Sequence, residues 1–211
     1  MAGSVLLGRQ RAPQYLAGRW PRRYLRVANI KDDRIDFSDV EVMDFDEAHF
    51  AKYRLEEGDI LVSEGQSPEL VGQSAIFSGY PEPLCFQKTL HRFRAEPGVT
   101  VPEFAQLVLG SHVYTGVFRA LAPITTNIAH LTLEKFEAAP FPLPSIAEQA
   151  EIVASVKRGL APVMTMERDV DHALAQSTAQ RQNLLRAAFA GRLVPQDPAD
   201  EPASVLVERI R

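Results

Sequence analysis

Alternation of hydrophobic and polar residues predicts several strands in the first part of the chain. The alternating or short apolar segments are 24–30 with a continuation at 35–37, then 59–63, 71–78 and 84–94. Residues 64–70 contain Gly and Pro and should form the loop between two of these strands. Neither face of 84–94 is cleanly apolar, so we expect one side of that strand to face solvent or a ligand.

A change of period predicts a helix over residues 101–121. Its apolar residues follow helical spacing, with Ser111 as an interruption, and the helix should pack on the sheet. Residues 122–133 return to a polar loop and a short strand. Together these elements predict an α/β (α+β) domain over residues 1–139, with a mixed sheet and a packed helix.

A proline-rich junction at 140–144 separates this domain from a long helix predicted over residues 145–190. Ser145 is a suitable N-cap, and Glu148 three residues later completes a capping box. Gly159 and Pro162 should kink or interrupt the helix. Residues 191–211 are expected to form a linker followed by a short terminal helix over 205–211.

The long helix carries an apolar seam at heptad-like spacing. With Gln149 at position a, eight of twelve a and d residues are apolar, and the four exceptions rule out a strict two-stranded zipper. Since this helix has no globular domain of its own, it should bury the seam against a helix from another domain or another chain. The predicted partner interface comprises Val153, Val156, Leu160, Val163, Val170, Leu174, Leu184 and Ala188.

Composition narrows the class of protein. The chain is 45% hydrophobic and 24% charged over 211 residues, which excludes disordered and collagen-like proteins. It has no run of 18 apolar residues and no basic segment before its first apolar stretch, so we expect a soluble, cytoplasmic protein without a membrane contact. The single cysteine, Cys85, excludes an intramolecular disulfide and offers no zinc site by itself.

Charge is distributed unevenly along the chain. Residues 1–30 carry six arginines and no acidic residue, whereas residues 31–69 carry four basic and thirteen acidic residues; the formal net charge is -4. Because salt screens charges beyond about 10 Å, the local charge decides whether phosphates are attracted. A basic N-terminal arm is compatible with DNA binding, with a solvated tail as the alternative. Its phosphate-contact candidates are Arg9, Arg11, Arg19, Arg22 and Arg23.

The common catalytic and cofactor-binding motifs are missing from the sequence. No G-x-G-x-x-G follows a strand, and Gly65 and Gly72 are wrongly spaced for a phosphate loop. The nuclease Pro-Asp…Glu-x-Lys and methyltransferase Asn-Pro-Pro-aromatic patterns are also missing. The five histidines lack metal-ligand spacing, and the carboxylates of 32–69 are better interpreted as a solvated acidic face than as an acid–base pair. We expect a non-catalytic chain that binds no cofactor.

Two motifs carry a resemblance to a known family. They are the Pro-Leu-Pro…Ala-Glu-Gln junction at 142–149 and the Ala-Phe-x-Gly-x-Leu helix end at 188–193. With the strand-rich region before them, they resemble the specificity (S) subunit of Type I restriction-modification enzymes, from about residue 22 to the end. The resemblance implies a DNA target-recognition domain and a helical region that docks methyltransferase (M) subunits. It also implies that S-adenosylmethionine binds in the M subunit, and it leaves open whether a restriction (R) subunit is present.

The chain departs from this family in length. A typical member carries two recognition domains and two helical regions, whereas this chain has one of each. The resemblance therefore implies either a half-length subunit that dimerises or a fragment of a longer protein. A two-fold homodimer would read an inverted repeat with an unread spacer. A helix of about forty residues spans roughly 60 Å and could set that spacing as a ruler.

Base recognition requires polar or basic side chains on loops or strand edges. Three clusters fit by composition: Gln66, Ser67, Gln73 and Ser74; then Gln87, Lys88, Thr89 and Arg92; and last Thr125, Thr126, Asn127 and His130. Such residues also cap turns, so each cluster has a structural alternative. Two other functions stay open: a partner-docking module that uses the long helix without binding DNA, and a metal-dependent enzyme that uses the acidic stretch.

Overall fold

The computed structural model describes residues 1–31, 33–125, 127–195, 199 and 201–210, in two units, 1–156 and 157–211. The strands are β1 (Gly3–Leu7), β2 (Pro21–Leu25), β3 (Ile30–Lys31), β4 (Arg34–Ile35), β5 (Glu41–Asp44), β6 (Ile60–Ser63), β7 (Gly65–Gln66), β8 (Ser74–Ile76), β9 (Cys85–Phe86), β10 (Leu90–Ala95), β11 (Ile124–Thr125) and β12 (Ile128–His130). The helices are α1 (Glu47–Tyr53), α2 (Pro102–Tyr114), α3 (Val117–Leu121), α4 (Leu133–Glu137), α5 (Ile146–Phe189) and α6 (Ala203–Ile210). Short 3-10 turns occupy Pro13–Leu16 and Val27–Asn29.

The largest sheet of the described residues is antiparallel and has the strand order β1-β10-β6-β8. A second sheet, β5-β2-β9, is mixed because β2 runs antiparallel to β5 and parallel to β9. A third, β11-β12-β7, attaches the hairpin after α3 to the residues that follow β6. The predicted α/β fold with a mixed sheet and a long helix is confirmed.

Both faces of the largest sheet are covered, and every residue of β6 is buried. Ile60 and Val62 belong to a core cluster with residues of α2, α3 and α4, whereas Leu61 lies in a second cluster with residues of β2 and β9. Gly72 shows how closely the first cluster packs. It has φ of +82°, and a Cβ there would lie 2.2 Å from the Phe118 ring, so no other residue fits without displacing that ring.

Three predicted boundaries differ from the structure. Residues 3–7 form β1, which pairs with β10 from Gly3 opposite Ala95 to Leu7 opposite His91, so this part of the chain is a sheet strand and no free arm. The segment 84–94 divides into β9 and β10 at a turn over residues 87–89. The helix expected over 101–121 breaks at Gly116, whose φ is +76°, into α2 and α3.

Helix α5 begins as predicted, because Ser145 Oγ accepts a hydrogen bond from the Glu148 N–H at 3.3 Å. The helix runs through Gly159 and Pro162, so the expected interruption is wrong, and the kink expected as its alternative stays a prediction. It ends at a turn in which Gly191 has φ of +65°, and the Arg192 N–H donates to the Ala187 carbonyl at 2.8 Å. This left-handed residue after the last turn is the usual glycine helix stop.

The last helix, α6, starts two residues earlier than the predicted 205–211, and Arg211 lies outside the described residues. In the described part of the chain, no helix combines the length and the apolar character needed to cross a membrane.

Candidate nucleic-acid interface

The end of β6 is the point where the three predicted polar clusters meet. The Glu64 N–H donates to the Thr89 carbonyl at 2.9 Å, and the Glu64 carbonyl accepts from the Leu131 N–H at 2.7 Å. The neighbouring Ser63 N–H donates to the Gln73 carbonyl at 2.9 Å. Backbone pairing therefore brings together segments that lie far apart in the sequence. We call the partly or fully exposed members the polar face: Gln66, Ser67, Gln73, Gln87, Lys88, Thr89, Asn127 and His130.

The β11–β12 hairpin forms one side of the polar face. Gln66 lies opposite Ala129, and His130 Nδ1 is 3.4 Å from the Glu64 carboxylate. Asn127 is exposed in the hairpin turn with φ of +66°, a left-handed conformation that asparagine tolerates better than most residues. Of the other two predicted members, Thr125 belongs to β11 but its side chain is not described, and Thr126 lies outside the described residues.

The turn over residues 87–89 forms the opposite side. Thr89 Oγ1 accepts a hydrogen bond from the Val27 N–H at 3.2 Å, so this hydroxyl has a structural role. Gln87 is half-buried and forms a backbone bridge with Arg9. Lys88 is exposed and has no ion-pair partner within the described residues. The turn therefore presents the unneutralised ammonium group of Lys88 beside the amide group of Gln87.

Two predicted base-reading residues are buried. Ser74 is 3% exposed in β8, and Arg92 is 9% exposed in β10. Because β10 lies between β1 and β6 and both sheet faces are covered, Arg92 packs with its guanidinium 5.8 Å from the Phe86 ring centroid. Burial also lowers the pKa of this guanidinium. The expectation that one side of the segment 84–94 faces solvent or a ligand is therefore wrong for residues 90–93, which are all buried, whereas residues 87–89 are partly or fully exposed.

The five predicted phosphate-contact arginines have different surroundings. Arg9 is 6% exposed; its Nη1 donates to the Asp44 carbonyl, and it lies 4.0 Å from the Tyr15 ring centroid, so its role is structural. Arg11 is 3.9 Å from the Glu41 carboxylate, and Arg23 is 3.4 Å from that of Glu82.

Arg19 and Arg22 are exposed and have no carboxylate partner among the described residues. Each lies over an aromatic ring instead: the Arg19 guanidinium is 5.5 Å from the Trp20 centroid, and that of Arg22 is 4.5 Å from the Phe50 centroid. Trp20 itself is 49% exposed, whereas Phe45 is in the core at 1%. Only the two neighbouring arginines could have indicated from the sequence that Trp20 lies at the surface.

The acidic stretch is only partly a solvated face. Asp44 and Asp59 are 5% and 1% exposed, and Asp59 accepts two hydrogen bonds from Arg94 at 2.6 and 2.7 Å. The Tyr24 hydroxyl donates to Glu41, which lowers the pKa of that carboxyl, whereas burial raises the pKa of Tyr24 to about 12. Within the described residues, no group of three or more side chains is arranged to hold a metal ion.

The predicted helix interface divides between two environments. Val153 is 8% exposed and packs with Phe104 and Val108, so it belongs to the core of the first unit and not to a partner interface. Val156 is half-buried and Ala188 is exposed. The remaining members are 50–62% exposed, which is high for aliphatic side chains: Leu160, Val163, Val170, Leu174 and Leu184.

Comparison with known proteins gives one consistent family. The model of the Type I restriction modification DNA specificity domain matches residues 22–165. The EcoKI specificity subunit of Escherichia coli (strain K12) is 25% identical over 197 residues, which cover 89% of this chain and 42% of that protein. The putative MjaX specificity subunit of Methanocaldococcus jannaschii is 30% identical over 128 residues, covering 60% of this chain and 30% of that protein. The chain thus spans less than half the length of these relatives.

Solved structures show the same fold. The HsdS subunit from Thermoanaerobacter tengcongensis aligns with a TM-score of 0.55 and 18% identity, over 91% of this chain and 44% of that one. A chain from a structure of the assembly and conformational transition of the type I R-M system aligns with a TM-score of 0.62 and 17% identity, over the same shares. Because the family match covers more than half of its residues, the chain belongs to the Type I restriction modification DNA specificity domain family.

Proposed function

We propose that this chain is a non-catalytic DNA-reading subunit of a Type I restriction-modification system. The observation that carries the proposal is the convergence of the polar face at the end of β6, where amide, hydroxyl, imidazole and ammonium groups gather from three segments. Glutamine and asparagine pair with adenine and lysine with guanine, so such a face suits readout of base edges. Exposed Arg19 and Arg22 suit phosphate contacts, which position a reader without specifying sequence.

The chain acts as a two-fold dimer, with one recognition domain on each half-site of an inverted repeat. The exposed aliphatic residues of α5 support this part of the proposal, because apolar side chains repeated along one helix are buried when a partner helix covers them. The 44-residue helix has a length of about 66 Å, enough to set the unread spacer between half-sites. The same helices dock the M subunits, and an R subunit completes the complex where the system has one.

Selection of bound duplexes from a randomised DNA library tests the proposal, with the full chain co-purified with its M subunit. An enriched inverted repeat with a constant spacer is the expected result. Enrichment of one short asymmetric motif would contradict the dimer but would leave the proposed DNA-reading function intact. If nothing is enriched at low salt, the DNA-reading proposal is wrong, and the remaining interpretation is a partner-docking module that uses α5.

Two variants with a matched control separate base readout from folding. Asn127→Gly keeps the left-handed turn and removes only the amide, and Gln66→Ala removes a second amide. Each should relax preference at one motif position, at a cost of about 1–3 kcal/mol. Gln180→Ala, at an exposed position of α5, should leave the motif unchanged. An unchanged motif in both polar-face variants would exclude these side chains from base contacts.

A further inference from the structure

We propose that Trp20, between Arg19 and Arg22, packs against the sugar–phosphate backbone of the bound duplex and adds affinity without sequence preference. The inference rests on the proposed DNA-reading function and assigns a role to a surface outside the polar face. It concerns an indole that the fold holds half exposed, on a segment with two unneutralised arginines.

The backbone of Trp20 is fixed although its side chain is exposed. The Trp20 N–H donates to Asp44 Oδ1 at 2.8 Å, and its carbonyl accepts from the Phe45 N–H at 2.8 Å. The pairing of β2 with β5 continues from here, with Pro21 opposite Asp44. An indole is among the most favourable side chains to bury. One held 49% exposed on a fixed backbone therefore offers a preorganised apolar surface to a partner.

The charge beside the indole favours an anionic partner. Arg11, Arg23 and Arg26 each have a carboxylate within 4 Å, but Arg19 and Arg22 have none among the described residues. Both of these guanidinium groups lie over rings, which limits their conformations and leaves N–H groups at their edges for phosphate oxygens. Trp20 lies between these two arginines in the sequence, and in DNA each deoxyribose lies between two phosphates, so the order of apolar and cationic groups suits the DNA backbone.

The backbone is a better match than the bases of a duplex. Base faces are stacked on one another inside a double helix, whereas the sugars are accessible and apolar on their outer side, and the indole N–H can donate to a phosphate. A contact of this kind is the same for every sequence. Since Trp20 has no charge, its removal should weaken binding without changing the number of counterions released.

The experiment uses Trp20 as its own probe, because it is the only tryptophan in the chain. The full chain is titrated with an unlabelled duplex of mixed sequence at about 50 mM salt, where non-specific binding is strong. Acrylamide quenching of Trp20 emission should fall at least about twofold at saturation.

The variant Trp20→Ala gives a second test. It should weaken binding of a labelled duplex about tenfold, with the same dependence of the binding constant on salt concentration as the wild type. Val42→Ala, at a 50% exposed site on the same sheet, should bind like the wild type.

The outcomes separate this inference from the proposed function. If the duplex binds by fluorescence anisotropy while quenching stays the same and Trp20→Ala binds normally, the Trp20 contact is wrong and DNA reading stands. If no duplex binds, both proposals fail. Protection of Trp20 by the M subunit and not by the duplex would identify the surface as a protein contact and overturn the inference.

Discussion

Single buried polar side chains hold the first unit, residues 1–156, in its folded form. His91 is fully buried in β10; its Nε2 lies 2.6 Å from the Leu131 carbonyl, and its ring is stacked on Phe136 at 5.4 Å. Desolvation by burial lowers the pKa of His91, so the neutral ring is favoured in the folded protein. This link between strand and loop is therefore sensitive to acid.

The pKa shift of His91 predicts the direction of a pH effect on stability. Because the folded-state pKa is lowered, the unfolded chain binds the extra proton first, so stability is fully present above about pH 6.5 and falls below it. The loss can reach about 1.4 kcal/mol per pH unit. We expect His91→Gln to reduce the pH dependence of the free energy of unfolding. The measurement is urea unfolding between about pH 7.5 and 5.5, with Trp20 fluorescence as the signal. His172→Gln, at an exposed site of α5, should keep the wild-type dependence. If the free energy of unfolding changes equally with pH in the wild type and in His91→Gln, the pH effect does not come from His91.

The Asp59–Arg94 pair is a second residue contact on which the fold depends. Asp59 is 1% exposed and also accepts a hydrogen bond from the Glu56 N–H at 2.7 Å. Asp59→Asn should lower the free energy of unfolding by about 2 kcal/mol, because it weakens two charge-assisted hydrogen bonds from Arg94 and leaves that guanidinium with Glu56, 3.0 Å away, as its remaining carboxylate. Asp39→Asn, which breaks the exposed pair with Arg26, should cost less than about 1 kcal/mol. Urea unfolding at neutral pH measures both changes. Similar losses of unfolding free energy in the two variants would show that the pair with buried Asp59 matters no more than the pair with exposed Asp39.

At the scale of elements, one glutamine joins the start of α5 to the start of α2. The fully buried Gln149 amide donates to the Val99 and Pro144 carbonyls at 2.9 Å and accepts from the Val101 N–H at 2.8 Å. Val101 precedes α2 and has no side-chain cap of its own. Gln149 therefore satisfies a free N–H at one helix terminus from the first turn of another helix.

Gln149 variants test this junction. Gln149→Ala leaves buried backbone groups unpaired and should cost about 2–4 kcal/mol in urea unfolding. Gln149→Glu has nearly the same shape, but its carboxylate would face two carbonyl oxygens, so we expect a comparable loss. Gln182→Ala, at an exposed position of the same helix, should change stability by less than about 0.5 kcal/mol. Wild-type stability in Gln149→Glu would show that shape alone matters here.

Periodicity predicted the elements with a strong local signal and missed those that depend on distant pairing. The Ser145 N-cap and the apolar strand that ends at Ser63 were correct. By contrast, β1 is recognisable as a strand only because β10 lies beside it, and α1 lies in a stretch interpreted by its acidity alone. The same cause affects the site: eight of the twelve residues chosen by composition are partly or fully exposed on the polar face, but the burial of Arg92 follows from the position of β10 in the sheet.

At the scale of the whole molecule, the exposed aliphatic residues of α5 predict the oligomeric state. Substituting serine for Leu160, Leu174 and Leu184, which are 50–62% exposed, removes apolar surface without disturbing the core of the chain. The wild type should sediment as a dimer and this triple variant as a monomer with the same helical content. Serine at exposed Gln176, Gln180 and Gln182 is the matched control and should leave the dimer intact. A monomeric wild type would contradict the dimer proposal.

The pairing of β1 with β10 also constrains the order of events on the ribosome. Gly3 meets Ala95, so β1 waits for a partner strand that is made about ninety residues later. At synthesis rates of about 5–20 residues per second, this interval lasts roughly 5–20 seconds. During that time the Val-Leu-Leu end of β1 is uncovered, and the strand is open to chaperones and to other nascent chains. Slower translation between codons 10 and 90 should therefore reduce the yield of soluble protein.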